Sequence, residues 1–392
     1  MNKIISQFLQ ERIDAGDFPS AVYLVAEKGE IVFQDALGYA VVEPERIPAK
    51  LDTIYDLASL TKVLVTGLLY AKFLQDDDFY SLDTILGKRF RNQLSKEKGR
   101  ITIRELVAHT SGFRDWYPFY SVLFDSRHKT EAAVATIFDL PTVYEKGSKV
   151  VYSDLNFILL GSDLGGLDGL AKRAEDSIIS PLGLSRTGFN PINHGFDKDG
   201  IAASEKGNEY EKQTCIELGY FSSGVNASAE ERTNEPPKGG TPNAFRDHQI
   251  WGEVHDGNAY FMGGVSGHAG LFSTAEEVFK IALQFLPNYT TLLKPETCEL
   301  FTTNFTKGLN EDRSFAFQLA STKDSTAGEI MSPQSFGHLG FTGTSLWIDP
   351  VNERIFILLT NRTHAHPLPF VNINFVRRRF HDLAITELDK KS

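Results

Sequence analysis

The chain has only two cysteines, Cys215 and Cys298, in 392 residues. That excludes a disulfide framework and any Cys-rich zinc module. Two scattered thiols in a chain of this size are expected to be reduced. Positive charge is also scarce: 40 Lys+Arg against 51 Asp+Glu leave a net charge of −11. A surface that tracks nucleic-acid phosphates needs the opposite balance. The one basic run, Arg377-Arg378-Arg379, reads as a solvated helix face. Long apolar runs are missing. The two longest charge-free stretches are 257–275, with five glycines, and 331–348, rich in Ser, Thr, Gly and Gln. Neither reads as a membrane span. The first residues carry a lysine but no apolar core of a signal peptide, because Gln10, Glu11 and Arg12 arrive too soon. The expectation is a cytoplasmic protein with a small-molecule partner, no nucleic acid and no membrane span.

Three common catalytic signatures are absent as well. There is no His-Glu-x-x-His zinc motif, no Walker phosphate loop and no Gly-x-Ser-x-Gly elbow. His364-x-His366 has no nearby carboxylate and reads as loop chemistry. No metal and no cofactor are implied.

What is present is an ordinary globular composition, 41% hydrophobic and 23% charged. The length fits two or three domain-sized units, or one large domain with an insertion. Residues 4–14 carry apolar positions at helical spacing. Ala21–Ala26 and Ile31–Phe33 flank Lys28-Gly29 and predict an antiparallel hairpin. Thr344–Ile348 and Arg354–Thr360 predict a second hairpin, followed by a helix over 372–388. Helices are also expected at 63–74, 102–108, 131–138 and 156–171, the second with a Thr102/Glu105 capping box. The polar stretch 188–254, centred on Pro236–Pro242, reads as a long loop. The fold class is therefore α+β: an antiparallel sheet built from both chain ends, flanked by helices, with an inserted mainly helical region. The expected division is 1–70 with 255–392, and an insert over 71–254.

Ser-x-x-Lys occurs three times, at Ser59/Lys62, Ser95/Lys98 and Ser126/Lys129. At i and i+3 on a helix the two side chains share a face. A lysine accepts the serine proton only if burial or a neighbouring cation lowers its pKa from about 10.4. Ser95 and Ser126 sit in polar runs that do not desolvate a lysine. Ser59 opens an apolar helix, and Lys62 lies beside its buried stripe. A helix N-terminus also offers free N–H groups to an oxyanion. On the motif alone, an ordinary cap with a solvent-reaching Lys62 reads equally well.

Asp56-Leu-Ala-Ser-Leu-Thr-Lys62 resembles the nucleophile segment of β-lactamase-like serine hydrolases, the group of class C β-lactamases, penicillin-binding proteins, D-aminopeptidases and related esterases. Five further segments resemble the family in its order: 106–112, 152–161, 181–184, 263–273 and 337–345. The resemblance covers roughly residues 10–385 and implies the β-lactamase/transpeptidase-like fold. It implies Ser59 as nucleophile, with Lys62 and Tyr152 moving protons. The family's Tyr-x-Asn is here Tyr152-Ser-Asp154. Tyr152 suits proton transfer if cations lower its pKa from about 10. Asp154 replaces an amide by a carboxylate, which only accepts. It either holds Lys62 charged, against its role as base, or faces away as a helix cap. The family's Lys-Thr-Gly is missing, and His338-Leu-Gly340 stands in its place before a strand. A histidine there, neutral or charged near pH 7, holds a substrate carboxylate less firmly than lysine. Gly340 lets a substrate approach closely. The resemblance places the oxyanion hole at the backbone N–H groups of Ser59 and Phe341. Trp116 and Tyr117 are candidates for the substrate entrance. His255, Asp256, Asn258 and His268 read either as a pocket border or as a structural turn, and His109, Ser111 and Gly112 as structural.

Three functions follow from these residues. The first is a serine hydrolase of small esters, amides or peptides, with antibiotic hydrolysis disfavoured. The second is a non-catalytic relative that binds a ligand or partner in the same pocket. The third is a metal-dependent hydrolase using the histidine-rich loops.

Overall fold

The computed structural model describes residues 1–76, 81–85, 90, 98–123, 125–220 and 245–391, except the side chains of 167 and 168. Strand β1 (Ser20–Glu27) is an apolar run, and it is buried along almost its whole length. A strand apolar on both faces has to be covered on both. It pairs antiparallel with β2 (Glu30–Val41) across the Lys28-Gly29 turn, where both residues take positive φ. On its other edge runs the C-terminal strand of the second hairpin. The remaining strands of this sheet are β3 (Ile47–Pro48), β7 (Gln318–Leu319), β8 (Phe336–Leu339), β9 (Ser345–Asp349) and β10 (Arg354–Thr360). Their order is β3-β2-β1-β10-β9-β8-β7, so the sheet is built from both chain ends. A small second sheet joins β4 (Tyr55–Asp56), β6 (Leu271–Ser273) and β5 (Gly188–Phe189) in the order β4-β6-β5.

Alternation along β1 divides the core. Ala21, Tyr23 and Val25 face the terminal helices Lys3–Asp14 and Asn374–Asp389, where Ile5, Leu9, Phe380 and Ala384 cover them. Val22, Leu24 and Ala26 face the other way, toward Val63, Leu64, Leu68 and Val278. No helix among the described residues is long and apolar enough to cross a membrane.

The local structure departs from the sequence expectations in four places. The helix expected over 63–74 starts as a π-helix, Lys62–Gly67, before the α-helix Leu68–Asp76. The helix expected over 156–171 is two, Asp154–Asp163 and Gly166–Ala174, because Gly165 turns the chain at φ 106°. The described part of 188–254 is not all loop: it contains β5 and the helix Glu209–Glu217. Its Pro236–Pro242 centre lies outside the described residues. Finally, Lys98 is buried after all, donating to the Phe138 and Leu140 carbonyls. Its partner Ser95 lies outside the described residues.

Candidate active site

The expected nucleophile segment leaves β4 in a strained turn. Ala58 takes φ +46°, which an L-residue adopts at a cost of order 1–3 kcal/mol. The buried Asp56 carboxylate braces it, accepting from Ala58 N at 2.8 Å and from His255 N at 2.7 Å. Burial raises the Asp56 pKa, although these donors and His255 oppose it. A single 3-10 turn, Ala58–Leu60, then feeds the π-helix and leaves Ser59 half-exposed with Lys62 beneath it. π-Helical turns are rare and recur at functional sites.

Lys62 is fully buried, and its ammonium has three acceptors. Ser59 Oγ and Asp154 Oδ1 each lie at 2.8 Å, and the His268 carbonyl at 3.1 Å. The last contact depends on two glycines. A Cβ on Gly161 would stand 2.6 Å from Gly267 N, and one on Gly267 would stand 2.1 Å from the Phe157 carbonyl. Only glycine lets the 263–270 loop close on the helix Asp154–Asp163 and bring the His268 carbonyl to Lys62.

Burial pulls the Lys62 pKa down, but Asp154 and Tyr152 outweigh it and leave the pKa above the ordinary lysine value. Asp154 therefore does not face away: it is the first residue of its helix and is paired with Lys62. Tyr152 also departs from expectation. The Lys62 ammonium stands 5.0 Å and the Arg313 guanidinium 5.2 Å from its ring centroid. Burial nevertheless dominates, and the Tyr152 pKa is raised despite the nearby Lys62 charge. In the resting site Lys62 is an ammonium and Tyr152 a neutral phenol. His109 sits behind it, its ring 4.6 Å from the Tyr152 ring and its Nδ1 accepting from Ser153 N at 2.9 Å.

The third wall is β8 and the turn that follows it. His338 is buried and donates from Nδ1 to the Leu339 carbonyl at 2.9 Å. Burial, Lys62 and Arg313 hold its pKa well below the histidine range. The ring is therefore neutral, with an unpartnered Nε2 lone pair among the described residues. The turn is tied to the nucleophile segment by Thr342 Oγ1, which donates to the Asp56 carbonyl at 2.7 Å, and Thr344 Oγ1, which donates to the Leu57 carbonyl at 3.1 Å. Gly340 also serves this docking. A Cβ there would lie 2.0 Å from Thr344 Oγ1 and 2.6 Å from the Leu57 carbonyl. Among the described residues neither the Ser59 nor the Phe341 N–H has an acceptor within the chain.

These walls enclose a cleft of about 970 Å³ that contains Ser59, Tyr152, Asp154, His338, Gly340 and Phe341. Trp116 lines it, whereas Tyr117 is buried against Phe119 and Tyr220 and does not reach the cleft wall. The floor has residues whose roles the sequence did not resolve. Asp256 caps the helix Gly257–Phe261 and accepts from His268 Nε2 at 2.9 Å. Burial opposes its ionisation, but His268, Ala259 N–H and Lys62 prevail and hold its pKa below the carboxylate range. Glu211, buried near Asp256, is pushed up to about 7 by burial and by that charge. Both readings of 255–268 hold, since His255 and Asp256 line the cleft and also build the turn.

Arg313 carries no sequence signal at all. It is 5% exposed and pairs with Glu311 at 2.7 Å, while its Nε and Nη1 have no hydrogen-bond partner among the described residues. Asp154, Asp256 and His268 place one donor atom each within 4.8 Å of one another, the set that could hold a metal ion. The Lys62 ammonium already occupies Asp154 there. His364 is committed elsewhere, accepting from Val42 N at 2.8 Å and donating to the Ser204 carbonyl at 2.8 Å. Both cysteines are free and buried.

The model of the family described as Beta-lactamase matches residues 5–377. This chain belongs to the beta-lactamase family. Membership places it among serine hydrolases in general. A protein of Escherichia coli (strain K12) named "Putative D-alanyl-D-alanine carboxypeptidase" is 30% identical over 384 residues, spanning 92% of this chain and 82% of its own. A protein of the same name from Salmonella heidelberg (strain SL476) is 33% identical over 386 residues, with 91% and 82% covered. Among solved structures, the octameric penicillin-binding protein homologue from Pyrococcus abyssi superposes with TM-score 0.68 at 18% identity, covering 98% of this chain and 77% of that one. EstCE1, described as a hydrolase with promiscuous acyltransferase activity, gives 0.69 at 21% identity, with 97% of both chains covered. At such identities these two carry the fold, which is the expected β-lactamase/transpeptidase-like α+β architecture.

Proposed function

We propose that this beta-lactamase family member hydrolyses small esters or amides through an acyl-enzyme on Ser59. The observation that carries the reading is the buried Lys62 ammonium, 2.8 Å from Ser59 Oγ. Ser59 Oγ attacks the substrate carbonyl in the minor form of the site in which Lys62 is a neutral amine, and its proton passes to the Lys62–Tyr152 pair, leaving Lys62 an ammonium. That pair returns a proton to the leaving group as the carbonyl–leaving-group bond breaks. Water then attacks the acyl-enzyme by the same route and regenerates Ser59. The Ser59 and Phe341 N–H groups receive the oxyanion. His338, being neutral, orients by accepting rather than by binding a carboxylate.

Arg313 favours a peptidase over a plain esterase. A buried guanidinium with two unpartnered nitrogens beside Tyr152 suits a carboxylate on the leaving-group side. The relatives named as D-alanyl-D-alanine carboxypeptidases would release such a leaving group, an amino acid with a free carboxylate. The missing Lys-Thr-Gly argues against an antibiotic-degrading β-lactamase.

The test is covalent labelling. Wild type treated with a fluorophosphonate gains one adduct by intact mass, and Ser59→Ala gains none. Folded wild type without an adduct leaves the non-catalytic reading in place. Loss of p-nitrophenyl ester turnover on EDTA treatment would move the chemistry to the Asp154/Asp256/His268 set. A panel of short esters, D-aminoacyl amides, D-dipeptides and a chromogenic cephalosporin then ranks substrates, with the cephalosporin expected to be poor.

A further inference from the structure

Arg377 lies on the C-terminal helix, 5% exposed, and lines the cleft from behind the turn after β8. Its Nη2 donates to the Gly340 carbonyl at 2.9 Å and to the Thr344 carbonyl at 3.0 Å, and its Nη1 to Asn374 Oδ1 at 3.0 Å. Its Nε has no hydrogen-bond partner among the described residues. No carboxylate among them pairs with it, although a buried unpaired charge is costly. The Gly340 carbonyl belongs to the same peptide unit as the Phe341 N–H. One residue on, Arg362 Nε donates to the Phe341 carbonyl at 2.7 Å.

We propose that Arg377 is a positioning residue that polarises the oxyanion hole, placing an uncompensated cation on the carbonyl of the peptide whose N–H receives the oxyanion. This rests on the Ser59 acyl-enzyme reading. A cation on an amide oxygen draws electron density from nitrogen, and the N–H becomes a stronger donor. The same charge lies behind the oxygen that turns negative when Ser59 attacks, on a buried side chain where such terms count most. The ground state offers this guanidinium no anion, and the transition state does. Its effect therefore falls on kcat rather than on substrate binding. Burial, with Arg362 adding to it, pushes the Arg377 pKa down to about 9, still well charged at neutral pH.

The experiment compares wild type, Arg377→Lys and Arg377→Gln on p-nitrophenyl butyrate, a substrate without a carboxylate. Arg377→Gln is expected to lose roughly 10- to 100-fold in kcat with KM nearly unchanged, somewhat less than deletion of a direct oxyanion donor. Its affinity for an alkyl boronic acid, which forms a tetrahedral anion on Ser59, falls by a similar factor. Arg377→Lys keeps the charge and retains most of kcat near pH 6.5. It also gains a basic limb, because a buried lysine facing Arg362, His338 and His381 loses its proton far more easily than arginine. Folded Arg377→Gln with wild-type kcat, or Arg377→Lys without the new limb, overturns the proposal. The second arm decides even where the glutamine variant fails to fold. The fluorophosphonate adduct on wild type separates the two failures: without it the Ser59 reading falls, and with it only the role of Arg377 is at stake.

Discussion

Replacing Asp154 by asparagine restores the residue that the family carries there, and should change the pH dependence of turnover rather than abolish it. Asp154 Oδ1 and Lys62 Nζ are 2.8 Å apart, with the lysine fully buried. At an effective dielectric of about 20, Coulomb's law gives about 6 kcal/mol for unit charges at that distance. The asparagine carbonyl still accepts from Lys62, and its dipole recovers much of this. The remainder should resemble the ordinary effect of one opposite charge at contact, roughly 1–3 pH units. The sign is fixed. Asp154 raises the Lys62 pKa, so its removal lowers it. If neutral Lys62 is the base, the acid limb of kcat/KM, which reports the free enzyme, moves to lower pH by that amount. Turnover at pH 6 then rises by at least tenfold. Stability falls, by less than the 3–5 kcal/mol typical when one partner of a buried pair is lost outright. The assay is kcat/KM for p-nitrophenyl butyrate from pH 5 to 10, with a urea melt beside it. An unshifted limb together with a collapse of kcat would refute the reasoning. It would mean that the proton passes through Lys62 to Asp154, and that the pair acts as one base.

Arg313→Met should raise KM for a dipeptide with a free C-terminal carboxylate by about 10- to 100-fold, in line with a lost charge-assisted bond. It should leave p-nitrophenyl butyrate nearly unaffected, and equal losses on both substrates would remove the carboxylate subsite. Gly340→Ala puts a Cβ into Thr344 Oγ1 and the Leu57 carbonyl, an overpacking cost of about 1–3 kcal/mol. Its kcat should fall by about 100-fold, because the turn carrying Phe341 N–H is pushed off the nucleophile segment; unchanged kinetics would show that the turn is not part of the site. His381 is buried and donates from Nδ1 to the Thr326 carbonyl, and burial pushes its pKa down to about 3. The unfolded histidine takes up a proton near pH 6.5 and the folded one does not, so stability is full above that pH and declines as pH falls toward 3, by up to about 1.4 kcal/mol per unit. In His381→Asn the stability difference between pH 7 and pH 4.5, read by urea denaturation, should shrink, and an unchanged difference would assign the acid loss to other groups.

The fold was legible where local pattern and tertiary environment agree. The β1 run, both hairpins and the Thr102/Glu105 capping box follow from periodicity, turn residues and caps. The break at Gly165 and the π-turns at 62–67 were not legible, because a glycine within a helical pattern and an altered hydrogen-bond register leave the apolar spacing intact. Ser59, Lys62, Tyr152, Asp154 and His338 stand in motifs, and the chain brings all five to one cleft or its floor. Motifs did not give their ionisation. Lys62 is charged and Tyr152 neutral because of one carboxylate and of burial, which spacing does not encode. Arg313 carried no signal and Arg377 was misread as part of a solvated helix face, for a related reason. An arginine becomes informative only when its N–H groups are seen to be buried without partners, and that takes the packed structure.

These charges together set what the site does best. Asp154 neutralises Lys62, and His268 engages Asp256. Glu311 takes one side of the Arg313 guanidinium, and Arg377 has only carbonyls and an amide as acceptors. The positive charge without a carboxylate partner therefore stands behind Phe341, where the proposed mechanism forms a negative oxygen, and not at Ser59. A site built this way begins with its base mostly protonated and favours the tetrahedral anion. The Asp154 substitution frees more of the base and the Arg377 substitution weakens the hold on the anion. Because Lys62 and Arg377 act on opposite ends of one transition state without sharing a partner, their effects on kcat should combine nearly additively. Strong coupling between them would mean instead that Arg377 works by holding the Ser59 segment in place through the Thr342 and Thr344 bonds.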